Sequence, residues 1–409
     1  MAVHMTSLTD EGIHALQTMM LLTAFAAWSG TKEDLRAALQ FHGRLAFAVR
    51  QEWALSEYGE GAETNTWEVW LARESLKRLT IVRVTFCIFT LMNLMTIAYD
   101  IPSPMLLEAQ HGMPAHENQW CARTEVDWIE AMRCAGIQTW PSAQAIVERL
   151  VDESLPVPSH IGMFGCHVLI SFLVQKIILL RRSCPTKDVI YLENRRCFIR
   201  ALRRWQLMWE SEPEASLSPD HPQGPILFNC TALLRVAYIR LVSDYSPIRR
   251  GFAASCSEDK IASSITGIEA PIRDADTTRA AIQACLALRV PTQLGFKMIA
   301  RTSFWVWSVQ HALSYFECAL LLSKWLQANQ QASDLSAEER RIRHMLEQTV
   351  GPSNGSFQAE ESSTRLDVRV LKRWAELFKT ENTTVWQIMP KMARILEIYA
   401  DTLSNTPTN

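Results

Sequence analysis

The chain has 409 residues, of which 48% are hydrophobic and 21% are charged, so it can bury a large core. Its formal net charge of −2 excludes a global basic field that would attract nucleic acid or an anionic membrane. Ten cysteines are scattered without a Cys-x-x-Cys pair, which argues against structural zinc and a disulfide framework. This distribution favours buried thiols in a reducing compartment.

Apolar residues recur at helical spacing along most of the chain, while Gly is scarce. Helices are predicted over residues 8–28, 31–53, 67–98, 141–153, 161–182, 186–210, 226–242, a stretch ending at 288, 296–330, 365–379 and about 384–403. Residues 255–278 form a polar region between two of these helices. Prolines set two boundaries: we expect Pro141 in a first helical turn, and Pro390 to kink the last helix or delay its start.

Strand signals are weak, because no run alternates β-branched with polar residues and no Asn-Gly hairpin occurs. No repeat with a period of 20–50 residues is present. We therefore predict an all-α protein, with residues 1–409 as one large helical domain. Polar, proline- and glycine-containing stretches near 210–225 and 351–364 are predicted to be flexible connectors.

Two apolar segments have to be tested as membrane spans, residues 84–99 and 161–180. The first is short, and the second contains His167, Gln175 and Lys176, whereas a spanning helix needs about 20 mainly apolar residues. We interpret both as buried core helices and expect no membrane contact. The N-terminus lacks the basic-then-apolar pattern of a signal peptide.

Motifs of known catalytic chemistry are missing from the sequence. His116-Glu117 resembles the start of a zinc-protease helix, but the position four residues after the histidine is Trp120, which cannot bind zinc. His111 and Cys121 lie five residues away on either side, which is the wrong spacing for one helix face. Phosphate loops, Asp-rich magnesium motifs and paired Glu-x-x-His motifs are also absent. We therefore predict no catalytic, cofactor-binding or metal-binding residues and no cofactor, and an all-helical enzyme with an unrecognised site stays the alternative.

Bases are concentrated between residues 176 and 204, where the only acids are Asp188 and Glu193. The bases are Lys176, Arg181, Arg182, Lys187, Arg195, Arg196, Arg200, Arg203 and Arg204. Such a run can face nucleic-acid phosphates. It can equally be the solvated face of core helices, with the arginines paired to acids elsewhere, and we favour this second interpretation. A stripe containing Phe304, Trp305, Trp307 and His311 is likewise interpreted as core.

Six segments together form a recognisable pattern. They are AALQFHGRLAFAVRQEW (37–53), WEVWLARESLKRLTIVRVTFCIFTLMNLM (67–95), PSPMLLEAQHGMPAHENQWCARTEVDW (102–128), ALRRWQLMWE (201–210), GPILFNCTALLRVAYIRLVSD (224–244) and HALSYFECALLLSKWL (311–326). The distinctive residues of the second and third are Trp67, Trp70, Glu74, Ser75, Lys77, Arg78, Met113, Pro114, Glu117, Trp120 and Trp128. In this order the chain resembles the fungal-specific transcription factor domain, also called the middle homology region.

The resemblance implies a transcription regulator in the nucleus that controls a fungal pathway, with a secondary-metabolite gene cluster as one option. It implies a helical body that forms homo- or heterodimers, binds coregulator proteins or responds to a small-molecule effector. It also implies that residues 102–128 are a structural connector whose tryptophans pack onto that body.

Members of the family read DNA through Cys2His2 or binuclear zinc-cluster modules, and this sequence contains neither cysteine spacing. We therefore expect DNA contact only through a partner. Alternatively, the gene has lost its zinc finger, or its boundary is wrongly assigned.

Overall fold

The structure is a computed structural model, and it describes most of the chain. The described residues are 10–57, 67–68, 70, 82–106, 113, 115–135, 142–159, 161–212, 215–216, 225–295, 308–330, 332, 334–350, 364–379 and 386–405. The predicted connectors near 210–225 and 351–364 lie mostly outside these ranges.

Sixteen α-helices account for most of the described residues. They are α1 Asp10–Ala27, α2 Lys32–Glu57, α3 Val82–Tyr99, α4 Glu117–Trp120, α5 Glu125–Ala135, α6 Ala143–Val151, α7 Met163–Ser183, α8 Val189–Ser211, α9 Ile226–Val242, α10 Ser246–Ala253, α11 Glu258–Thr266, α12 Ala275–Leu294, α13 Val309–Ala328, α14 Ala337–Thr349, α15 Leu366–Phe378 and α16 Ile388–Ser404. The described residues contain no β-strand, and the predicted all-α class is confirmed.

Helix boundaries differ from the predicted ones where local capping decides them. The first turn of α6 does not contain Pro141, because Ser142 caps the helix and its hydroxyl accepts a bond from the Ala145 amide at 3.2 Å. The region 255–278 is not wholly polar loop, since α11 lies within it and buries Ile261 and Ile265. Pro390 lies in the first turn of α16, so the late start is the correct alternative.

The chain divides into two compact units. One comprises Met1–Thr96, Ile101–Gln175 and Arg203–Ala215, and the other comprises Ile97–Asp100, Lys176–Leu202 and Ser216–Asn409. The single domain expected over residues 1–409 stays a prediction.

The core of the second unit is built around α13. Every residue of α13 from Val309 to Trp325 is buried, including its polar ones, so the helix is enclosed on all sides. It packs against α9, α12 and α15, and α15 in turn packs against α16. α9 is buried from Cys230 to Leu241, with Arg235 and Arg240 among its otherwise mainly apolar residues. Arg240 pairs with an acid of α13, whereas Nε and Nη1 of Arg235 have no hydrogen-bond partner among the described residues.

In the first unit, polar side chains connect buried segments. The Gln175 amide donates to the Asn93 side chain and to the Met105 carbonyl, both at 2.9 Å, while Asn93 donates to the Ser171 carbonyl at 3.3 Å. α1 packs against α2 in the same unit. These bonds satisfy amides that would otherwise be costly to bury.

Within the described residues, α7 alone is long and apolar enough on its own to cross a membrane, with a mean hydropathy of 2.0. α9 and α10 would meet the same criterion only if counted together as one span bent by 118°. Two thirds of the apolar stretch of α7 is buried inside the protein, at 67%. Such burial is expected if residues 161–180 form a core helix. The absence of membrane contact stays a prediction.

Candidate functional site

The His116-Glu117 pair caps helices. The His116 imidazole accepts a bond from the Asn118 amide at 3.1 Å and thereby begins α4. The Glu117 carboxylate accepts bonds from the Met163 and Phe164 amides, at 3.2 and 3.3 Å, in the first turn of α7. A carboxylate at a helix N-terminus satisfies free amides and interacts favourably with the helix dipole. The pair is therefore explained by helix capping.

Glu212 completes this capping arrangement. Its carboxylate accepts a bond from the Gly162 amide at 3.3 Å and lies 3.8 Å from the His116 imidazole. Burial works to raise the pKa of Glu212, but the His116 and backbone bonds outweigh it and lower that pKa. Nearby, the ring of buried Trp128 lies 5.3 Å from that of Trp70, and the connector role expected for residues 102–128 stays a prediction.

Several arginines of the basic run between residues 176 and 204 are engaged within the protein. Arg195 pairs with Asp274 at 2.8 Å and with Asp276 at 3.0 Å. Arg204 donates to two backbone carbonyls, those of Arg149 and Leu155. The expected pairing with acids elsewhere in the chain therefore occurs for Arg195, whereas the acceptors of Arg204 are neutral carbonyls.

A buried ion pair joins α9 to α13. Arg240 donates to both oxygens of Glu317, at 2.5 and 3.0 Å, and to the Ile97 carbonyl at 2.9 Å. Only 3% of the Arg240 side chain and 4% of the Glu317 side chain are exposed. Burial raises the pKa of Glu317, and the charge and hydrogen bonds of Arg240 oppose that rise. The bidentate geometry keeps two charges together inside a helical core.

A cavity of about 190 Å³ lies beside this ion pair, and we call it the arginine cavity. It is formed by the end of α7, the end of α9 and the start of α10, all within the second unit. Its lining residues are Asp100, Ile178, Arg181, Arg182, Cys184, Pro185, Thr186, Arg240, Asp244, Ser246 and Arg249. Four arginines thus face two aspartates around a space large enough for a small molecule.

Three of the four arginines have identified hydrogen-bond partners. Arg182 binds the Asp100 carboxylate at 2.9 Å, and Arg240 is bound to Glu317. Arg181 donates to the Tyr191 hydroxyl at 3.1 Å and to the Arg240 carbonyl at 2.7 Å, so its hydrogen-bond acceptors are neutral. Arg181 and Arg182 also lie in the last turn of α7, where a helix dipole favours cations.

Arg249 differs from these three. Its side chain is only 5% exposed, yet its Nε and Nη1 atoms have no hydrogen-bond partner among the described residues. The nearest acids are Asp244, 3.6 Å from Nη2, and Glu317, 3.9 Å from Nη1. Both distances exceed those of a charge-assisted hydrogen bond. Arg249 is therefore a buried cation whose donors are incompletely used, and it lines the cavity.

The acid at the cavity edge is held by the start of α10. Asp244 accepts bonds from the amide and hydroxyl of Ser246 at 2.9 and 2.6 Å. Burial works to raise the pKa of Asp244, but these bonds and the positive charges of Arg181 and Arg240 outweigh it and lower that pKa. The field in the arginine cavity therefore favours negative charge.

The aromatic stripe is core where the structure describes it. His311 stacks on Phe228 with ring centroids 4.3 Å apart and meets Tyr315 edge-on at 5.5 Å. Burial, with a smaller contribution from Arg235, lowers the pKa of His311 well below its ordinary value. The remaining members of the stripe, Phe304, Trp305 and Trp307, lie outside the described residues.

No cluster of His, Cys, Asp and Glu that could hold a metal ion occurs in the described part of the chain. All ten cysteines are free thiols, and Cys166, Cys230, Cys285 and Cys318 are buried.

The arginine cavity itself was not foreseen from the sequence. Arg240 inside an otherwise mainly apolar helix was the available signal for a buried ion pair.

Residues 244–398 match the family described as fungal transcription factor C-terminal domain. The match confirms the resemblance to a fungal transcription factor domain over this part of the chain and supports a role in transcription regulation. The matched region contains the segment 311–326. The other five segments that carry the resemblance lie wholly or almost wholly before residue 244. No curated protein and no solved structure matches the chain.

Proposed function

We propose that this chain is the regulatory part of a fungal transcription regulator that acts in the nucleus and controls one metabolic pathway. A secondary-metabolite gene cluster is one candidate for that pathway. The observation that carries the proposal is the family match over residues 244–398. It places the helices from α10 to most of α16 in a domain type found in transcription factors.

In this proposal the helical body regulates and a partner supplies DNA contact. The body forms a homo- or heterodimer, binds a coregulator or responds to an effector. The arginine cavity favours the effector arrangement, because pockets between packed helices are common ligand sites. The pairing of Arg195 with acids of this chain supports indirect DNA contact, since that arginine is already neutralised.

A tethering experiment tests the regulatory role. The full chain is fused to a heterologous DNA-binding domain and expressed in a fungus that carries a reporter with matching sites. We expect reporter expression to change several-fold, up or down, relative to the unfused chain. A fusion carrying Leu371→Asp is the matched control, because an unpaired charge at this buried position of α15 should unfold the core.

An unchanged reporter would contradict the proposal if the fusion is folded and nuclear. A reporter response that survives Leu371→Asp would also contradict it, because the effect would then not require the folded helical body.

A further inference from the structure

We propose that the arginine cavity binds a small oxyanion, and that Arg249 and Arg181 are its principal ligands. The ligand class is a small metabolite that carries a carboxylate or phosphate group. This inference specifies the effector and rests on the proposed function for its biological consequence. Binding itself can be tested on the isolated chain.

Arg249 has hydrogen-bonding capacity that the protein leaves unused. A guanidinium has five N–H donors arranged in a planar fork that fits a carboxylate or phosphate. Nε and Nη1 of Arg249 donate to no described residue, although the side chain is nine-tenths buried. Burying a cation without full pairing is costly, so a ligand that supplies the missing acceptors would bind favourably.

The charge balance around the cavity also favours an anion. Arg182 is bound to Asp100 and Arg240 to Glu317, so these two charges are neutralised locally. Asp244 accepts hydrogen bonds from Ser246 and stands 3.6 Å from Arg249. Arg181 bonds only to neutral oxygens in the described structure. The four arginines carry four positive charges, and Asp100, Asp244 and Glu317 carry three negative ones. One positive charge remains, and an oxyanion between Arg181 and Arg249 would compensate it.

The size of the cavity restricts its occupant. The cavity volume is about 190 Å³. A cavity of about 150 Å³ accommodates benzene, so this one has room for roughly six to ten non-hydrogen atoms. Small dicarboxylates and phosphate monoesters have this size, whereas a nucleotide does not fit. Oligonucleotide binding would require an extended groove, so a metabolite is the favoured occupant.

Isothermal titration calorimetry on the full chain tests the proposal. Malonate and inorganic phosphate are the probes, and sodium chloride at matched ionic strength is the reference. We expect at least one probe to bind with one site per chain. The probe with the lower Kd distinguishes a carboxylate from a phosphate ligand.

Three variants assign the binding to the cavity. Arg249→Met should raise Kd at least tenfold. Arg249→Lys should raise Kd less, because lysine keeps the positive charge although it lacks the planar fork of N–H donors. Arg289→Met is the matched control, since this arginine is exposed on α12 and lies outside the cavity lining. It should change Kd less than threefold.

Thermal unfolding separates a ligand site from a purely structural arginine. If Arg249 serves a ligand, Arg249→Met should keep or raise Tm in the absence of anion, because it removes a poorly paired buried charge. The wild type should gain Tm on addition of the probe, and the variant should not.

Absence of anion binding in the wild type would overturn the proposal, and so would equal binding by Arg249→Met. A large loss of Tm in Arg249→Met without anion would also overturn it, since Arg249 would then be a structural ion-pair partner. None of these outcomes depends on transcription. Normal anion binding together with a silent reporter would therefore reject the proposed function alone.

Discussion

The ion pair between Arg240 and Glu317 shows how single residues shape the second unit. Two long helices, α9 and α13, are apolar along most of their length, and the pair fixes their register at one point. A buried pair stabilises little compared with an apolar replacement, but the loss of one partner leaves a buried charge without compensation. We therefore expect the pair to contribute more to the specificity of helix packing than to net stability.

Replacing one member of this pair should lower the free energy of unfolding far more than replacing both members. We expect Arg240→Met to lower the free energy of unfolding by about 3–5 kcal/mol, because Glu317 keeps only the 3.9 Å contact to Arg249. The double variant Arg240→Met/Glu317→Leu should recover at least about 2 kcal/mol of that loss. Urea unfolding measures both values, and a double variant as unstable as the sum of the two single ones would contradict the coupling.

Glu339 provides a pH-dependent contribution to stability. Arg273 donates to both of its oxygens at 2.7 and 2.6 Å, and the Ser336 amide donates at 2.8 Å in the capping box of α14. The bonds from Arg273 are the main cause that lowers the pKa of Glu339 from 4.5 to about 2, and burial opposes them. When folding lowers the pKa of a carboxyl group, that group stabilises the folded protein at every pH above the pKa that the group has in the unfolded chain. That stabilisation is lost as the pH falls from 4.5 through 2.

Glu339→Gln should therefore lower the free energy of unfolding by roughly 2–3 kcal/mol at pH 7. The difference from the wild type should shrink below pH 4.5 and disappear near pH 2. Urea unfolding at pH 7, 5, 4 and 3 measures it. Glu338→Gln, at the exposed neighbouring position of α14, is the control and should have little effect at any pH. A difference that is constant across this range would be inconsistent with the lowered pKa.

The candidate site was only partly accessible to sequence reasoning. In SPIRRGFA, Ile248 and Phe252 are spaced four apart, so they predict the buried face of a short helix, and Arg249 lies next to that face. The pattern therefore hints that Arg249 and Arg250 differ in burial. It cannot indicate that the acids near Arg249 are already bound by Ser246 and Arg240. That information depends on α9, α10 and α13 meeting in three dimensions.

At the scale of elements, α7 begins at a backbone conformation that only glycine adopts easily. Gly162 has φ of 77°, and a Cβ at this position would lie 2.3 Å from the Glu117 carboxylate that caps the helix. Gly162→Ala should therefore lower the free energy of unfolding by about 1–2 kcal/mol from backbone strain, with a further loss from the displaced cap.

At Gly43, within α2, replacement by alanine should have the opposite effect on stability. Gly43 is exposed, and a Cβ there would meet nothing within 4 Å. Gly43→Ala should raise the free energy of unfolding by about 0.5–1 kcal/mol, because alanine loses less conformational entropy in a helix. Chemical denaturation of both variants measures this contrast. Two changes of the same sign would show that the local environments of these glycines are misassigned.

Most long helices could be predicted from periodicity, whereas most short ones could not, α6 being an exception. The predictions for α1, α2, α7, α8, α9 and α15 agree with the structure to within a few residues, because many apolar residues repeat along one face. α11 was missed since its nine residues contain only three buried positions. Its burial depends on packing against α10 and α16, and a sequence window cannot detect such contacts.

At the scale of the whole molecule, the fold class is the best-supported result. The chain is all-α in its described part, where it has a large apolar core, and its residues 244–398 match the family described as fungal transcription factor C-terminal domain. The buried polar groups described above serve ion pairing, capping and the arginine cavity.

The most direct test of the central claim is transcript profiling of a deletion strain against its parent, with the intact gene restored as control. If the chain is a transcription regulator, a coherent set of pathway genes should change expression together and recover on restoration. Unchanged transcripts accompanied by one accumulating metabolite would contradict the regulatory role, and would instead indicate that this helical body is an enzyme.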